Sequence, residues 1–522
     1  MHPDLDFDYG TNNDGQEGIK PSLSHEGEHH TDYDANTDIP IRRATKIFAM
    51  CAALNSCNLG FDIGVNTSAG KLLQDPDSMG LTNVQLEFFN GSLNLFAALG
   101  AIAASWISDR YGRRRGFIVA ALGFIFGVIA QTFAQSFEFL MFGRVFVGLG
   151  VGFGLAIDPI YIAEMSPAKH RGRLVTWSEF ALNIGILIGF ASGLFFENVA
   201  ADTAWRLMFA IGCIMPISLI FLVCTVMPES PRWLVQNGQL IEAERVLSLV
   251  YPEGYNTSLV VNDIKDAISR EQAAEQAVGW EVIFHPSPAF RRMLFVGVGS
   301  AIAQQIVGID AVQYFMMYII ERAGVENRTS QSIILIILGL LKLTVIYIAG
   351  TYFDRKGRRP LLITSCIGMA IACFMISFSF IWEGAGTFLG LAALGLYLSV
   401  FSLGMGPGAW LIPSEVFSTT IRAKAMSIST FLNRVTATIV TSTFLSVANM
   451  MTWSGYFAML GAVCLLVTIY FYIYLPETKG RSLEDMTVYF AEVTGDTAVL
   501  EAEKRLHGEM EQMSTSNTGT LA

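Results

Sequence analysis

Residues 109–114 read Asp-Arg-Tyr-Gly-Arg-Arg, and residues 354–359 read Asp-Arg-Lys-Gly-Arg-Arg, 245 positions later (354 − 109). Two further strings recur at nearly the same distance. They are Glu164 with Arg171 against Glu415 with Arg422, 251 positions apart (415 − 164), and Pro228-Glu229-Ser230 against Pro476-Glu477-Thr478, 248 positions apart (476 − 228). Three repeats that agree within a few residues predict a duplication of one structural unit.

Apolar sequence separates these strings. Of the 522 residues, 52% are hydrophobic and 15% are charged, whereas a water-soluble domain carries about 25% charged residues. A membrane span takes about 20 mostly apolar residues in a helix, which satisfies its own backbone hydrogen bonds. Runs of this kind lie at 45–69, 86–107, 115–135, 138–163, 174–196, 204–227, 292–321, 331–353, 360–382, 386–413, 424–449 and 453–475. The sequence therefore predicts an all-α membrane protein with about twelve transmembrane helices.

Lysine and arginine concentrate in alternate short loops. They follow the second, fourth, eighth and tenth apolar runs, at Arg110, Arg113, Arg114, Arg115, Lys169, Arg171, Arg173, Arg355, Lys356, Arg358, Arg359, Arg422 and Lys424. Loops rich in these residues stay in the cytosol. We therefore expect both chain termini to be cytosolic.

The chain divides into five predicted segments. They are an acidic cytosolic segment at 1–44, a six-helix half at 45–227, a cytosolic linker at 228–291 with short helices near 239–249 and 261–275, a second six-helix half at 292–475 and a cytosolic tail at 476–522. The first segment has the composition of a disordered chain. Because much of the net charge of −11 comes from its acids, that charge indicates no nucleic-acid partner.

The repeated charges are predicted to gate the cytosolic side of the protein. Each string lies at the cytosolic ends of helices, where acids and arginines can form ion pairs that break and re-form as this side opens. Topology alone would explain the arginines, but it leaves the matched acids unexplained. The predicted gate consists of Asp109, Arg113, Glu164, Arg171, Asp354, Arg358, Glu415 and Arg422.

Asp62 and Arg144 are charges inside predicted membrane helices. Such a side chain costs about 2.5 to 3.5 kcal/mol at bilayer depth, so each requires a partner or a function. Asp62 lies in the first helix and Arg144 early in the fourth. Because these helices enter from opposite sides, the two side chains can meet at similar depth. A change in their separation would then switch the carboxyl group between binding and releasing a proton.

Two further acids lie in apolar runs. Asp310 follows Asp62 by 248 positions (310 − 62), and both occupy a Gly-x-Asp, but the position that matches Arg144 falls near Ala392. We hypothesise that Lys342 or Arg434 is the counter-ion of Asp310. Asp158 comes fourteen residues after Arg144, which is about 20 Å closer to the cytosol along a helix. We interpret it as a solvated charge at the cytosolic mouth, with a proton stop on the exit side as the alternative.

Several motifs accompany the two D-R-x-G-R-R loops: PESPRW at 228–233, QQ at 304–305 and PETKG at 476–480. With these motifs, the chain resembles the sugar porter family of the major facilitator superfamily over residues 45–486. Other motifs are similar to the polyol/monosaccharide proton symporters best known from plants. They are SEFALNIGILIGF at 178–190, GIDAV at 308–312, Lys342, GMGPGAW at 404–410 and NRVTA at 433–437.

The resemblance implies a major facilitator fold and assigns the candidate site. Proton-coupled sugar porters carry an Asp in the first helix that faces an Arg in the fourth, so Asp62 is the expected proton carrier and Arg144 its partner. A permanent structural ion pair is the alternative. Amides and aromatic faces suit an uncharged ligand rich in hydroxyl groups. The matching positions are Gln304, Gln305, Asp310 and Tyr314 on the seventh helix, Trp410 on the tenth, Asn433 on the eleventh and Glu179 on the fifth.

The chain departs from the family pattern at several positions. Glu179 and Ile186 stand where many relatives have Gln, Arg434 where they have Trp, and Asp158 where a small uncharged residue is usual. The departures at Ile186 and Arg434 favour a broad polyol range over glucose or xylose. The sequence Gly406-Pro407-Gly408 is expected to break the tenth helix and to expose backbone groups to the cavity.

We expect a multi-pass plasma-membrane protein that imports polyols or monosaccharides by proton symport through alternating access. Its expected partners are a small sugar or polyol and the membrane lipid, with the proton as coupling ion and no cofactor or metal. No enzyme signature competes, because the glycine run at 148–154 lacks G-x-G-x-x-G spacing and the chain has no Walker motif. A facilitative uniporter and a non-transporting sugar sensor are the alternatives. The oligomeric state is left open.

Overall fold

The computed structural model describes residues 41–167, 170–277, 279–382, 386–418 and 421–501. Nearly all of the predicted acidic segment at 1–44, and the end of the tail from residue 502, lie outside these described residues. The helices of the first half are α1 (Arg43–Gln74), α2 (Asn83–Tyr111), α3 (Arg113–Thr132), α4 (Phe137–Glu164), α5 (Arg171–Phe195), α6 (Ala201–Ile211) and α7 (Ile214–Thr225). The sixth predicted span is thus two helices, because Pro216 has no amide hydrogen to donate to the preceding turn.

The linker and the second half are also helical. The linker contains α8 (Pro231–Gln236), α9 (Leu240–Val250), α10 (Thr257–Ala277) and α11 (Glu281–Phe284). The second half contains α12 (Pro288–Ile306), α13 (Ile309–Tyr314), α14 (Met316–Arg322), α15 (Arg328–Lys356), α16 (Arg358–Ser379), α17 (Gly386–Leu403), α18 (Met405–Val416), α19 (Arg422–Met451) and α20 (Trp453–Tyr474), and α21 (Leu483–Thr494) follows in the tail.

Two of the spans in the second half are broken next to the candidate site. The seventh span stops after α12 and restarts at α13 because Gly308 adopts a φ of +88°, a left-handed conformation that favours glycine. The tenth span breaks at Gly404, between α17 and α18. The observed break therefore lies two residues before the predicted one at Gly406-Pro407-Gly408. Pro407 lies in the first turn of α18, where a proline is tolerated.

Eleven helical stretches among the described residues are long and apolar enough to cross a membrane. The remaining predicted span, 424–449, is the 30-residue helix α19, whose apolar sequence is interrupted by many Ser and Thr residues, Asn433 and Arg434. The prediction of an all-α membrane fold with about twelve spans is confirmed.

The linker helices pack mainly against the first half. Apolar residues of α8, α9 and α10 share one core cluster with α1, α3 and α4. Arg42 fixes the contact by donating to the carbonyl oxygens of Ser248 at 2.7 Å and Tyr251 at 3.1 Å. The basic loops at 110–115 and 355–359 lie at one end of the helix bundle, which we call the basic face. The other end is the opposite face.

Helices α1 and α5 approach each other through two glycine pairs. Gly60 and Gly64 on α1 meet Gly185 and Gly189 on α5, so both helices carry a G-x-x-x-G spacing that permits close backbone approach. A Cβ atom at Gly60 would lie 1.8 Å from the Leu182 carbonyl oxygen. This packing fixes α1, which carries Asp62, against α5, which carries Glu179.

Replacing Gly64 with Ala should destabilise the protein by about 3 kcal/mol or more, because the new methyl group has no room. Its Cβ would lie 2.3 Å from the Ile186 carbonyl oxygen, and backbone cannot move aside as a side chain can. The control is Gly70→Ala on the same helix, whose Cβ would meet Leu86 at an ordinary 3.5 Å. Thermal unfolding of the two purified variants checks the prediction, and equal unfolding temperatures would contradict it.

Candidate functional site

Asp62 and Arg144 form a buried ion pair between α1 and α4. Arg144 Nη1 lies 2.7 Å from Asp62 Oδ1, and the two side chains are 0% and 4% exposed. Arg144 Nε donates to the Phe89 carbonyl oxygen at 3.0 Å, and the guanidinium group lies over the Phe89 ring at 4.4 Å. The structure therefore brings together the two charges that the sequence places in different helices.

The same carboxyl group reaches the second half. The Tyr314 hydroxyl of α13 lies 3.5 Å from Asp62 Oδ2, so this contact is longer than the Arg144 pair. One turn further along α1, Thr67 Oγ1 donates to the Gln313 carbonyl oxygen at 2.9 Å. Asp62 thus links the ion pair of the first half to a candidate substrate residue of the second.

Three amide side chains of the second half form one cluster. Asn433 Nδ2 on α19 donates to Gln304 Oε1 at 2.9 Å, and Gln305 Nε2 on α12 lies 3.5 Å from Asn433 Oδ1. Gln304 Nε2 donates to the Gly406 carbonyl oxygen at 2.9 Å. The backbone acceptor for the cluster is therefore the second residue of α18, two positions after the break at Gly404.

Asp310 has no direct ion pair with Lys342 or Arg434 among the described residues, so the counter-ion hypothesis needs correction. Asn94 on α2 lies between two of the charges. It accepts from Arg434 Nη1 at 3.0 Å and places its own amide nitrogen 3.4 Å from Asp310 Oδ2. Lys342 Nζ donates instead to Gln313 Oε1 at 2.7 Å. The physical reason is that a neutral amide from the other half occupies the space between the acid and the arginine.

Glu179 and Trp410 complete the predicted substrate residues. Glu179 on α5 lies within electrostatic reach of Lys342, Arg434 and Asp310. The Arg434 guanidinium group lies 5.8 Å from the centre of the Trp410 ring. The site therefore contains acids, bases, amides and aromatic rings from both halves, a set that can bind hydroxyl groups as donors and as acceptors.

Sequence reasoning missed three residues on α2. Glu87, Asn90 and Asn94 are all buried, and their spacing of three and four residues places them on one helix face. Glu87 joins the halves, since it accepts from Ser446 N at 2.7 Å and from Ser446 Oγ at 2.5 Å on α19. A row of polar residues at helical spacing inside an apolar run was the signal for this face.

Asp158 is not a solvated charge, so that interpretation was wrong. Its side chain is 0% exposed. Ser56 Oγ donates to Asp158 Oδ2 at 2.6 Å, and Asn55 Nδ2 donates to Oδ1 at 3.0 Å. The helix rotation turns Asp158 toward α1 rather than toward the water at the end of the bundle, and both of these donors are neutral.

The predicted gate residues form ion pairs within each half. Arg113 contacts both oxygens of Glu164, at 3.0 and 2.9 Å, and Asp109 at 2.9 Å. Arg358 lies 3.0 Å from Glu415. Arg422 begins α19 at the same face. The side chains of Arg171 and Asp354 lie outside the described residues.

Two acids outside the predicted gate set contact the same arginine residues. Glu229 accepts from the backbone N–H of Arg113 at 2.8 Å, and Glu477 accepts from the N–H of Arg358 at 2.9 Å. Each carboxylate thus caps the first turn of a helix, where free N–H groups favour an anion. Burial raises the pKa of Glu229 despite the lowering effect of these hydrogen bonds. The repeat of Pro-Glu-Ser and Pro-Glu-Thr was the available signal.

The polar contacts between the halves cluster toward the opposite face. The pairs nearest that face are Lys71–Glu321 at 2.8 Å, Tyr318–Gln74 at 2.6 Å and Thr329–Glu197. Gln74 is the last residue of α1, and Asp62 lies twelve residues before it, about 18 Å along the helix. These contacts join the halves on the side away from the basic loops.

Among the described residues, no group of three or more His, Cys, Asp or Glu side chains is arranged to hold a metal ion.

Two repeated helical halves with a buried polar site between them define this protein as a membrane transporter of the major facilitator class. The chain belongs to the sugar porter family of that class, because it matches the family described as "Sugar (and other) transporter" over residues 48–490. The family predicted from the motifs is confirmed.

Individual relatives agree with this assignment. "Probable polyol transporter 4" of Arabidopsis thaliana is 35% identical over 498 residues, which cover 94% of each chain. "Polyol transporter 5" of the same plant is 35% identical over 463 residues, or 85% of each chain. Among solved structures, the xylose transporter XylE from E. coli in a partially occluded inward open conformation matches with a TM-score of 0.71 and 25% identity, covering 85% of this chain and 100% of that one.

Proposed function

We propose that this protein imports polyols or monosaccharides by proton symport through alternating access. The observation that carries the proposal is the position of Asp62, which pairs with Arg144 of the first half and reaches Tyr314 of the second. A group that binds a proton and contacts both halves can make their relative motion depend on protonation.

The coupling step follows from charge. A proton on Asp62 cancels the negative charge that holds Arg144, and the bond between α1 and α4 weakens. Loss of that charge also changes the acceptor that faces the Tyr314 hydroxyl. Protonation therefore acts at once on the first half and on α13, which carries candidate substrate residues.

The proposed substrate class follows from the amide cluster and the charges around it. Gln304, Gln305 and Asn433 offer paired donors and acceptors, and Asp310 and Glu179 add strong acceptors for hydroxyl hydrogens. The plant relatives are polyol transporters by name, and a structural neighbour is described as a proton:xylose symporter bound to a bromodeoxyglucose. A hydroxyl-rich, uncharged ligand fits this combination.

The proton gradient supplies enough free energy for accumulation. One charge moving through about 100 mV contributes about 2.3 kcal/mol, and one pH unit contributes about 1.4 kcal/mol. Since each 1.4 kcal/mol is tenfold in an equilibrium, one proton supports an accumulation of roughly several-hundred-fold. We propose the plasma membrane as its location. The basic loops support an orientation with both termini and the basic face in the cytosol.

Substrate-induced current in a voltage-clamped cell tests the proposed function. We expect an inward current with linear or cyclic polyols, or with monosaccharides, at acidic outside pH, and loss of most of it at neutral pH. A panel of these substrates in the same cell names the preferred one. Cells that do not express the protein are the control.

Two outcomes would contradict symport. Labelled uptake without current would make the protein a facilitative uniporter, with Asp62 and Arg144 as a structural pair. Neither uptake nor current with any member of the panel, in cells whose surface expression is verified, would leave a non-transporting sensor.

A further inference from the structure

Asp158 is a second buried carboxyl group between α1 and α4. The helices that hold the Asp62–Arg144 pair meet again nearer the basic face, fourteen residues or about 21 Å along α4 from Arg144. On α1 the contact lies six to seven residues, or about 10 Å, before Asp62. At this level the acid lies on α4 and its two hydrogen-bond donors, Asn55 and Ser56, lie on α1. The interface between α1 and α4 therefore contains two acids.

Only one of these acids has a cation. Asp62 pairs with Arg144, whereas both donors to Asp158 are neutral. Titratable or charged groups on the surrounding helices include Arg43, Lys46, Cys51, Cys57 and Asp62 on α1, Asp109 and Arg113 at the ends of α2 and α3, Arg144, Tyr161 and Glu164 on α4, and Glu179 on α5. None of them forms a hydrogen bond or ion pair with Asp158 in the part of the chain that the structure describes, and Glu164 is already held by Arg113. A fully buried carboxylate without a cation is costly, so the group needs a proton or a function.

A line of polar side chains on α1 connects the two acids. Asn55 Oδ1 accepts from Asn58 Nδ2 at 3.2 Å, and Asn58 lies one helical turn before Asp62. Asn58 Oδ1 is buried and has no hydrogen-bond partner among the described residues. No direct hydrogen bond joins the side chains of Asn58 and Asp62 among the described residues. The unpaired Asn58 Oδ1 belongs to this gap in the line.

We propose that Asp158 is a second proton-binding group, through which the proton taken up at Asp62 leaves toward the basic face. This inference rests on the proposed symport. Water that enters beside Asn58 and Asn55 carries the proton from the Asp62 carboxyl group to the Asp158 carboxylate, because amide side chains do not themselves pass on a proton, and Asp158 then releases it to the solution at the basic face. No bond other than those to the proton forms or breaks.

Inside-out membrane patches test the proposal, because the pH at the basic face is then set directly. We expect the wild-type substrate current to depend on both internal and external pH. In Asp158→Asn the midpoint of the internal pH dependence should shift by about one pH unit, or about tenfold in apparent proton affinity. The external dependence, which reports Asp62, should shift far less. The matched control is Asp266→Asn, which removes an exposed acid from α10 on the linker.

A second pair of variants keeps the test decisive if Asp158→Asn folds poorly. Asp158→Glu restores a titratable group and should return the midpoint of the internal pH dependence toward the wild-type value. Ser56→Ala removes the 2.6 Å donor to the charged carboxylate, so the internal dependence should move toward alkaline pH. A purely structural hydrogen bond would lower the current at every pH and leave both midpoints in place.

The outcomes separate this inference from the function beneath it. A wild-type protein without proton-dependent current would refute symport and, with it, a transport role for Asp158. A wild-type current with an unchanged internal midpoint in all Asp158 and Ser56 variants would refute Asp158 alone. Replacing sodium with N-methylglucamine should change nothing; a sodium dependence that Asp158→Asn removes would mean that the site binds sodium instead.

Discussion

Replacing Asp62 with Asn is expected to abolish proton-driven accumulation, from roughly several-hundred-fold to no more than equilibration across the membrane. Asn has nearly the same size and can still accept from Arg144 and Tyr314, but it cannot carry a proton. The change therefore removes the titratable group and keeps most of the side-chain shape. The measurement is the steady-state ratio of labelled substrate inside and outside the cell, together with the substrate-induced current.

The Asp62 experiment needs two controls. Asp77→Asn removes an exposed acid at the opposite face, and it should leave accumulation and current at wild-type values. Asp62→Asn also leaves Arg144 as an uncompensated buried charge, which destabilises a protein. The double variant Asp62→Asn with Arg144→Gln removes that charge and should remain uncoupled. Accumulation at the wild-type ratio in either Asp62 variant would contradict the proton-carrier role.

The Asp62–Arg144 contact was predictable from the sequence for a physical reason. Charged residues are rare in apolar helices, and consecutive helices run in opposite directions, so depth can be counted from the helix ends. Two opposite charges at similar depth inside the membrane are therefore expected to pair with each other. The internal repeat was equally visible, because each copy places the same acid and arginine at the end of a helix.

The bridge through Asn94 was not predictable in this way. Asp310 and Arg434 belong to the second half and Asn94 to the first, so their contact depends on how α2 and α19 pack. Helical periodicity gives the polar face of α2 but not the partner of that face. The interpretation of Asp158 was wrong for a related reason: its distance along α4 can be counted from the sequence, but its rotation toward Asn55 and Ser56 of α1 depends on the tertiary packing.

Replacing Arg113 with Gln is expected to lower the stability of the protein by about 3 to 5 kcal/mol, because it leaves a buried acid unpaired. Arg113 and Glu164 are only 7% and 8% exposed, and two hydrogen bonds join them. The repeat supplies a matched comparison in Arg358→Gln. There the side chains of Arg358 and Glu415 are 16% and 23% exposed, and Thr478 also donates to Glu415 at 2.5 Å.

Arg358→Gln should therefore lower the free energy of unfolding much less, by about 1 kcal/mol. Thermal unfolding of both variants in the same detergent measures the difference. Adding Glu164→Gln to Arg113→Gln should recover most of the lost stability, since the cost lies in the uncompensated charge rather than in a missing contact. Equal losses in the two halves, or no recovery in the double variant, would mean that burial does not set the strength of these pairs.

If the losses differ as expected, the ion pairs in the first half hold α3 to α4 more firmly than their repeats hold α16 to α18. The second half would then be the one whose basic end rearranges more easily during transport.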